Sequence, residues 1–203
     1  PTAQLVTMDD QLFLIDCGEG TQIQMSRYKI RRSRINHIFI SHLHGDHYFG
    51  LIGLLTSMGL LGRQQDLHLY APAPLKEIFD RQLEAADTRL PFGLHFHPLE
   101  REETLFRSSH AEVSCFRVFH RIACWGFLFR PIRPARRLNP EKAREYGIPA
   151  AFFDRLKWGE DYLSQEGKLI SNALVTDPAP KPKSYAYSAE TMYNPRVAEK
   201  VRN

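Results

Sequence analysis

The sequence predicts a layered α/β domain, and three observations carry that prediction. Short β-branched and aromatic runs recur along the first 130 residues and return at 183–190. Helical stretches lie between them, which is the pattern of helices laid over sheet faces. The apolar content, 43% of 203 residues, suffices for one sizeable core.

Each element has a local reason. Residues 2–16, TAQLVTMDDQLFLID, read as a hairpin, two apolar-rich runs around the turn-forming pair Asp9-Asp10. Gly18-Glu19-Gly20 follows as a loop that permits close backbone approach. Residues 21–34 begin helical and turn strongly basic, with five positive charges in RYKIRRSR, 27–34. That run is first a solvated helix end, with RNA phosphate contact as the alternative. INHIFIS, 35–41, reads as a buried strand. Residues 48–61 read as one buried helix despite three glycines, and 67–71 as a strand. A helix over 73–87 follows Pro72 and Pro74. Strands are expected at 93–98, 111–120 and 124–130.

After Arg130 the texture changes. Residues 131–183 hold seven of the thirteen prolines, a short helical piece at 139–146 and the exit DPAPKPK. No two-residue period runs through them, so they read as an insertion outside the core sheet. The chain thus divides into a core at 1–130, an arm at 131–183 and a return to the core at 184–203.

Composition narrows the function classes. Charged residues make up 25% and the formal net charge is +4, which permits a polyanionic partner without demanding one. Cys17, Cys115 and Cys124 lack any CxxC spacing, so neither a disulfide framework nor a cysteine zinc site is expected. A cytoplasmic protein with no membrane partner fits, since no signal peptide or membrane-spanning run is found.

The informative stretch is SHLHGDHYFG, 41–50, with three histidines and an aspartate inside six residues. On an extended backbone residues two apart point the same way, so His42 and His44 can grip one ion together. Asp46 and His47 diverge and suit a second ion beside it. Imidazole and carboxylate ligands suit zinc, with manganese or iron possible. Two ions ~3.5–4 Å apart can generate a hydroxide and clamp a phosphodiester or acyl group. His95 and His97 share the His-x-His spacing but have no carboxylate motif beside them, so they read as a strand face. His37, His68 and His110 read as structural.

HLHGDH resembles the HxHxDH signature of the metallo-β-lactamase fold. The signature alone also fits glyoxalase II-like or lactamase-like hydrolases. DCGEGTQ at 16–22, FISHLHGDHYFGL at 39–51, HRIACWGFLF at 120–129, YGIPAAFFDRLKWGEDY at 146–162 and SYAYSAET at 184–191 together resemble the ribonuclease Z family, the short-form tRNA 3′-processing endonucleases. The resemblance runs nearly end to end. It implies an αββα metallo-β-lactamase sandwich with an inserted tRNA-binding arm. It also implies an enzyme that removes the 3′ trailer from precursor tRNA by metal-bound hydroxide attack, leaving a 3′-hydroxyl.

Carried over by position, the resemblance makes His42, His44 and His120 ligands of a first zinc. Asp46 and His47 become ligands of a second, with two zinc ions per subunit. Asp46 would also orient or deprotonate the attacking water, and Asp16 would support a ligating histidine. Where the family carries a bridging aspartate this chain has Glu190, whose extra methylene a shift of backbone or rotamer must absorb. Arg133, Arg136, Arg137 and Lys157, with Trp158, become the tRNA grip of the arm. A homodimer is implied, because the family's arm serves the partner's active site. The family's N-terminal first strand and its C-terminal histidine-bearing segment have no counterpart here, since no histidine follows His120. The expectation is therefore a partial chain or a degenerate copy. The rivals are another hydrolase of this fold, acting on a small ester or phosphodiester, and an inactive copy that only binds tRNA.

Overall fold

The apolar runs of the first 130 residues fold as strands, and the alternation within each decides which layer it feeds. The computed structural model describes residues 1–8, 10–132, 135–179 and 183–202. Two compact units divide the chain. The first comprises Pro1–Arg107, Glu112–Phe129 and Tyr185–Asn203, the second Ser108–Ala111 and Arg130–Ser184.

In chain order, β1 (Gln4–Met8) and β2 (Gln11–Ile15) form the expected hairpin. Of its turn pair, Asp9 lies outside the described residues. Next come α1 (Thr21–Arg27), β3 (Ile35–Phe39), α2 (Gly45–Tyr48), α3 (Leu51–Leu60), β4 (Leu67–Ala71) and α4 (Pro74–Ala85). Then follow β5 (Leu94–Pro98), β6 (Thr104–Arg107), β7 (Ala111–Val118) and β8 (Cys124–Pro131). The second unit holds β9 (Arg137–Leu138), α5 (Pro140–Glu145), α6 (Phe153–Lys157), β10 (Tyr162–Leu163), β11 (Leu169–Ile170), α7 (Asn172–Val175) and β12 (Thr176–Asp177). The chain returns to the first unit with β13 (Tyr185–Tyr187) and α8 (Pro195–Val201).

The first unit has two sheets. One runs in the order β1-β2-β3-β4-β5, parallel from β2 onward. The other runs β13-β8-β7-β6. Parallel strands covered on both faces read as continuous apolar runs, and FLI, IFI and LYA do so. Phe13, Ile15, Phe39 and Tyr70 face Val113, Cys115, Trp125, Phe127 and Phe129 between the sheets. Their neighbours Leu14, Ile38, Ile40, Leu67 and Leu69 turn to the other side. There they pack under Met25 of α1, Leu51, Leu54 and Met58 of α3, and Leu75 and Phe79 of α4. On the far side of the second sheet, Phe116, Val118 and Leu128 pack with Val197 and Val201 of α8. The result is the αββα order of layers.

The second unit closes around Ala143, Ile148, Leu156, Ile170 and Val175. Pro140 opens α5, and the Asn139 side chain caps it by accepting from the Lys142 N–H. Within this unit Trp158 stacks on His110 with ring centroids 3.9 Å apart.

Three elements of the first unit differ from the sequence reading. The helix read as continuous over 48–61 is broken at Phe49-Gly50. The Gly50 N–H bonds the Cys17 carbonyl at 2.8 Å, and a Cβ on Gly50 would fall 2.0 Å from the Gly18 carbonyl. β6 escapes the pattern because its four residues sit between charged neighbours. α8 escapes because only Val197 and Val201 mark its apolar side. Among the described residues no helix is long and apolar enough to cross a membrane.

Candidate metal centre

Beyond β3 the backbone stays extended through His44 (φ −75°, ψ 143°) and turns into α2 at Gly45. Two loops fasten this stretch. Asp16 N–H bonds Phe39 O at 2.8 Å, and Cys17 N–H bonds His47 O at 2.7 Å. Gly18 is required there, since a Cβ on it would lie 2.2 Å from the Asp46 carbonyl. The second loop carries His120, just past β7. Phe119 N–H bonds Thr191 Oγ1 at 3.2 Å and Met192 N–H bonds Phe119 O at 2.9 Å, so Glu190 is held beside it. Ala189, immediately before Glu190, sits at φ 51°, strained backbone of the kind that clusters at functional sites.

These constraints bring all six predicted ligand residues together in two groups. His42, His44, His120 and Glu190 form one, Asp46, His47 and Glu190 the other, each offering ligand atoms within 4.8 Å of one another. His44 Nδ1 lies 3.0 Å from His42 Nε2 and 3.3 Å from His120 Nε2. Glu190 turns Oε2 to His120 Nε2 at 3.5 Å and Oε1 to His47 Nε2 at 3.8 Å. Asp46 Oδ2 stands 3.5 Å from the same His47 nitrogen. Glu190 thus turns one carboxylate oxygen to each group.

Asp16 organises the buried side. Its backbone is left-handed, φ 55°, and its side chain is fully buried. It accepts from Ser41 N–H (2.8 Å), Ser41 Oγ (2.9 Å), His47 Nδ1 (2.8 Å) and Tyr187 OH (2.6 Å). Ser41 Oγ, its one proton given to Asp16, accepts from His42 Nδ1 at 3.0 Å. The network therefore assigns the proton of each ring to Nδ1 and leaves the His42 and His47 Nε2 lone pairs aimed at the two groups. Burial, helped by neighbouring His47, lowers His42 to about 4, so it is neutral at pH 7. Burial pulls His47 down, but the hydrogen bond and charge of Asp16, then the charges of Asp46 and Glu190, carry it above the usual value.

The donor set fits metal ions. His47 Nε2 is buried without a hydrogen-bond partner, and it lies between two carboxylates. Three imidazole nitrogens within 3.3 Å of a neighbour cannot all carry protons. A cation resolves both features. Burial pushes the nearby Cys17 and Cys124 thiols up to about 12, which disfavours the thiolate form at neutral pH.

The remaining candidates fall elsewhere. Arg133 lies outside the described residues. Arg136 spends its guanidinium on Thr176 Oγ1 at 2.7 Å, and Lys157 pairs with Asp154 at 2.9 Å. Arg137 is exposed on β9. His95 and His97, read as a strand face, lie on β5, and His95 meets Asp66 at 2.8 Å, because β4 and β5 are adjacent. Ser41, Tyr187 and Arg121 were missed. Tyr187 is the buried member of the otherwise exposed short strand in the SYAYS run, whose strand character was the one sequence signal near it.

Residues 2–130 match the family model described as anti-Pycsar protein Apyc1. The chain is 39% identical to ribonuclease Z of Bacteroides thetaiotaomicron over 203 residues, 99% of this chain and 64% of that protein. It is 37% identical to ribonuclease Z of Prochlorococcus marinus over 194 residues, 93% of this chain and 62% of that protein. It thus spans a little under two thirds of the length of these relatives. The crystal structure of human tRNase Z, short form, superposes with a TM-score of 0.59 at 32% identity, covering 66% of this chain and 59% of that one. The chain belongs to the family that the Apyc1 model describes, has the metallo-β-lactamase fold, and is similar over nearly its whole length to ribonuclease Z.

Proposed function

We propose that this chain carries the catalytic centre of a metal-dependent endoribonuclease that removes the 3′ trailer from precursor tRNA. The observation that carries the reading is the pair of ligand groups sharing Glu190, in a chain similar to ribonuclease Z along almost all of its length. Two zinc ions are the expected cofactors, with manganese or iron as substitutes. When bound, they supply Lewis-acid stabilisation of phosphate charge and a hydrolytic nucleophile at neutral pH. His42, His44 and His120 would hold one ion and Asp46 and His47 the other, with Glu190 within reach of both. Asp46 is half exposed and orients the attacking water, accepting its proton. Asp16 keeps His47 in the ligating tautomer.

The second unit is the RNA-binding part in this reading. Its contacts with phosphate draw first on Arg137, since Arg136 is committed to Thr176 and Lys157 is paired with Asp154. The protein acts as a cytoplasmic homodimer. A small phosphodiester is the second reading. It is favoured by the family match at 2–130, which ends before the arm that the tRNA reading needs.

The test is cleavage of labelled precursor tRNA with zinc or manganese, run beside Asp46→Ala and a variant lacking 131–183. Cutting at the acceptor-stem junction that vanishes in Asp46→Ala, with tRNA binding kept, supports the reading. The arm deletion is expected to weaken tRNA binding while sparing a small phosphodiester. Turnover of the small phosphodiester together with indifference to tRNA would replace the ribonuclease reading by the second one. Bound but uncut tRNA would leave a binding protein.

A further inference from the structure

Arg121 follows His120 and is exposed, yet its guanidinium points back to the metal centre. Its Nη2 lies 3.0 Å from His44 Nε2. A guanidinium only donates, so this contact needs a lone pair on His44 Nε2. That lone pair exists when the ring proton sits on Nδ1, the nitrogen turned toward His42 and His120. A ring whose Nδ1 is given to an ion carries its proton on Nε2 instead, and offers Arg121 nothing to bind. The cation then stands uncommitted to His44 at the mouth of a site rimmed by two half-exposed carboxylates, Asp46 and Glu190. An anionic substrate approaching those carboxylates needs a counter-charge. The backbone that presents Arg121 is anchored two residues away, through the Phe119 hydrogen bonds to Thr191 and Met192.

We propose that Arg121 binds a non-bridging oxygen of the substrate phosphodiester at the mouth of the metal centre. The inference rests on the phosphodiester reading above and names the residue that holds the phosphate. Arginine suits the role because its charge is permanent and its planar fork matches phosphate oxygens.

The probes are inorganic phosphate and bis(p-nitrophenyl) phosphate, used on the metal-loaded full chain with Arg121→Ala and Arg121→Lys. Metal content, measured in parallel, reports whether each variant keeps its centre. Arg121→Ala is expected to weaken phosphate binding roughly 10- to 100-fold, the loss of one charge-assisted hydrogen bond. The same loss should fall on KM for the diester rather than on kcat, and Arg121→Lys should restore part of it. Metal content should not change. Phosphate affinity and KM unaltered in Arg121→Ala would overturn the proposal. So would loss of metal in step with loss of phosphate, which would make Arg121 a support for His44. Phosphate binding that needs Arg121, in a protein that cuts neither precursor tRNA nor the diester, would keep this inference and remove the reading it rests on.

Discussion

Two groups of histidines meet at the five-stranded sheet with opposite geometry, and the second draws one member, His120, from beyond β7 of the other sheet. Within the sheet, His37, His68 and His95 occupy matching register positions on β3, β4 and β5. Neighbouring strands lie about 4.8 Å apart, so rings in register meet face to face. His37 stacks on His68 at 5.0 Å and His68 on His95 at 4.9 Å. His68 Nδ1 is spent on His97 Nε2 at 2.9 Å and His95 Nε2 on Asp66 at 2.8 Å, while His37 Nδ1 is buried without a hydrogen-bond partner. Beyond the strand ends, His42, His44, His47 and His120 leave the register, and nitrogens converge where faces did not. Only this second group gathers three or more ligand atoms among the described residues. The lesson is that histidine count and His-x-His spacing do not make a metal site. Escape from the ladder does, together with carboxylates brought in from distant loops.

The strongest way to break the comparison is to remove what keeps the converging group ordered. Asp16→Ala strips one acceptor from four buried donors, of Ser41, His47 and Tyr187. Loss of one member of such a network costs roughly 3–5 kcal/mol. Chemical denaturation should show that loss, and metal affinity should fall with it as His47 loses its fixed tautomer. Stability unchanged by this variant would contradict the role given to Asp16.

The stacked row should respond to acid in its own way. Burial, then the neighbouring His68 and His97, lowers His37 to about 4 from an ordinary 6.5, and His68 and His97 are lowered too. The groups facing His37 are these two histidines, Tyr70, Phe13 and Phe106. A folded-state value below the unfolded one gives stability that is full above pH 6.5 and is lost as pH falls toward 4. The urea midpoint of the protein should therefore drop between pH 7 and 4.5, and His37→Phe should flatten that drop. An equal drop in the variant would remove His37 from the account. At the low end, His95→Ala breaks a solvent-screened pair with Asp66 and should leave the urea midpoint nearly unchanged.

Much of this was legible in the residues themselves. The hairpin, β3, β4, α4 and β8 follow from apolar periodicity and proline placement. HLHGDH marked the convergent loop, and the glycines of GEG marked the close approach that Gly18 makes to Asp46. What stayed hidden depends on contacts between residues far apart in sequence. Asp66 reaches His95 across 29 positions, Arg121 reaches His44 across 77, and Tyr187 reaches Asp16 across 171. No local pattern encodes such pairings. The two-residue strands β9 to β12 are too short for any alternation to be seen.

The measurement that tests the account most directly is bound zinc per chain at saturation. It compares the protein with His42→Ala/His47→Ala and with His68→Ala/His97→Ala. The account predicts about two ions per chain, one for each ligand group. It predicts collapse of that number in the first double variant and no change in the second. Zinc retained by the first variant, or lost from the second while the fold survives, would mean that the stacked row is the metal site and the converging one is not.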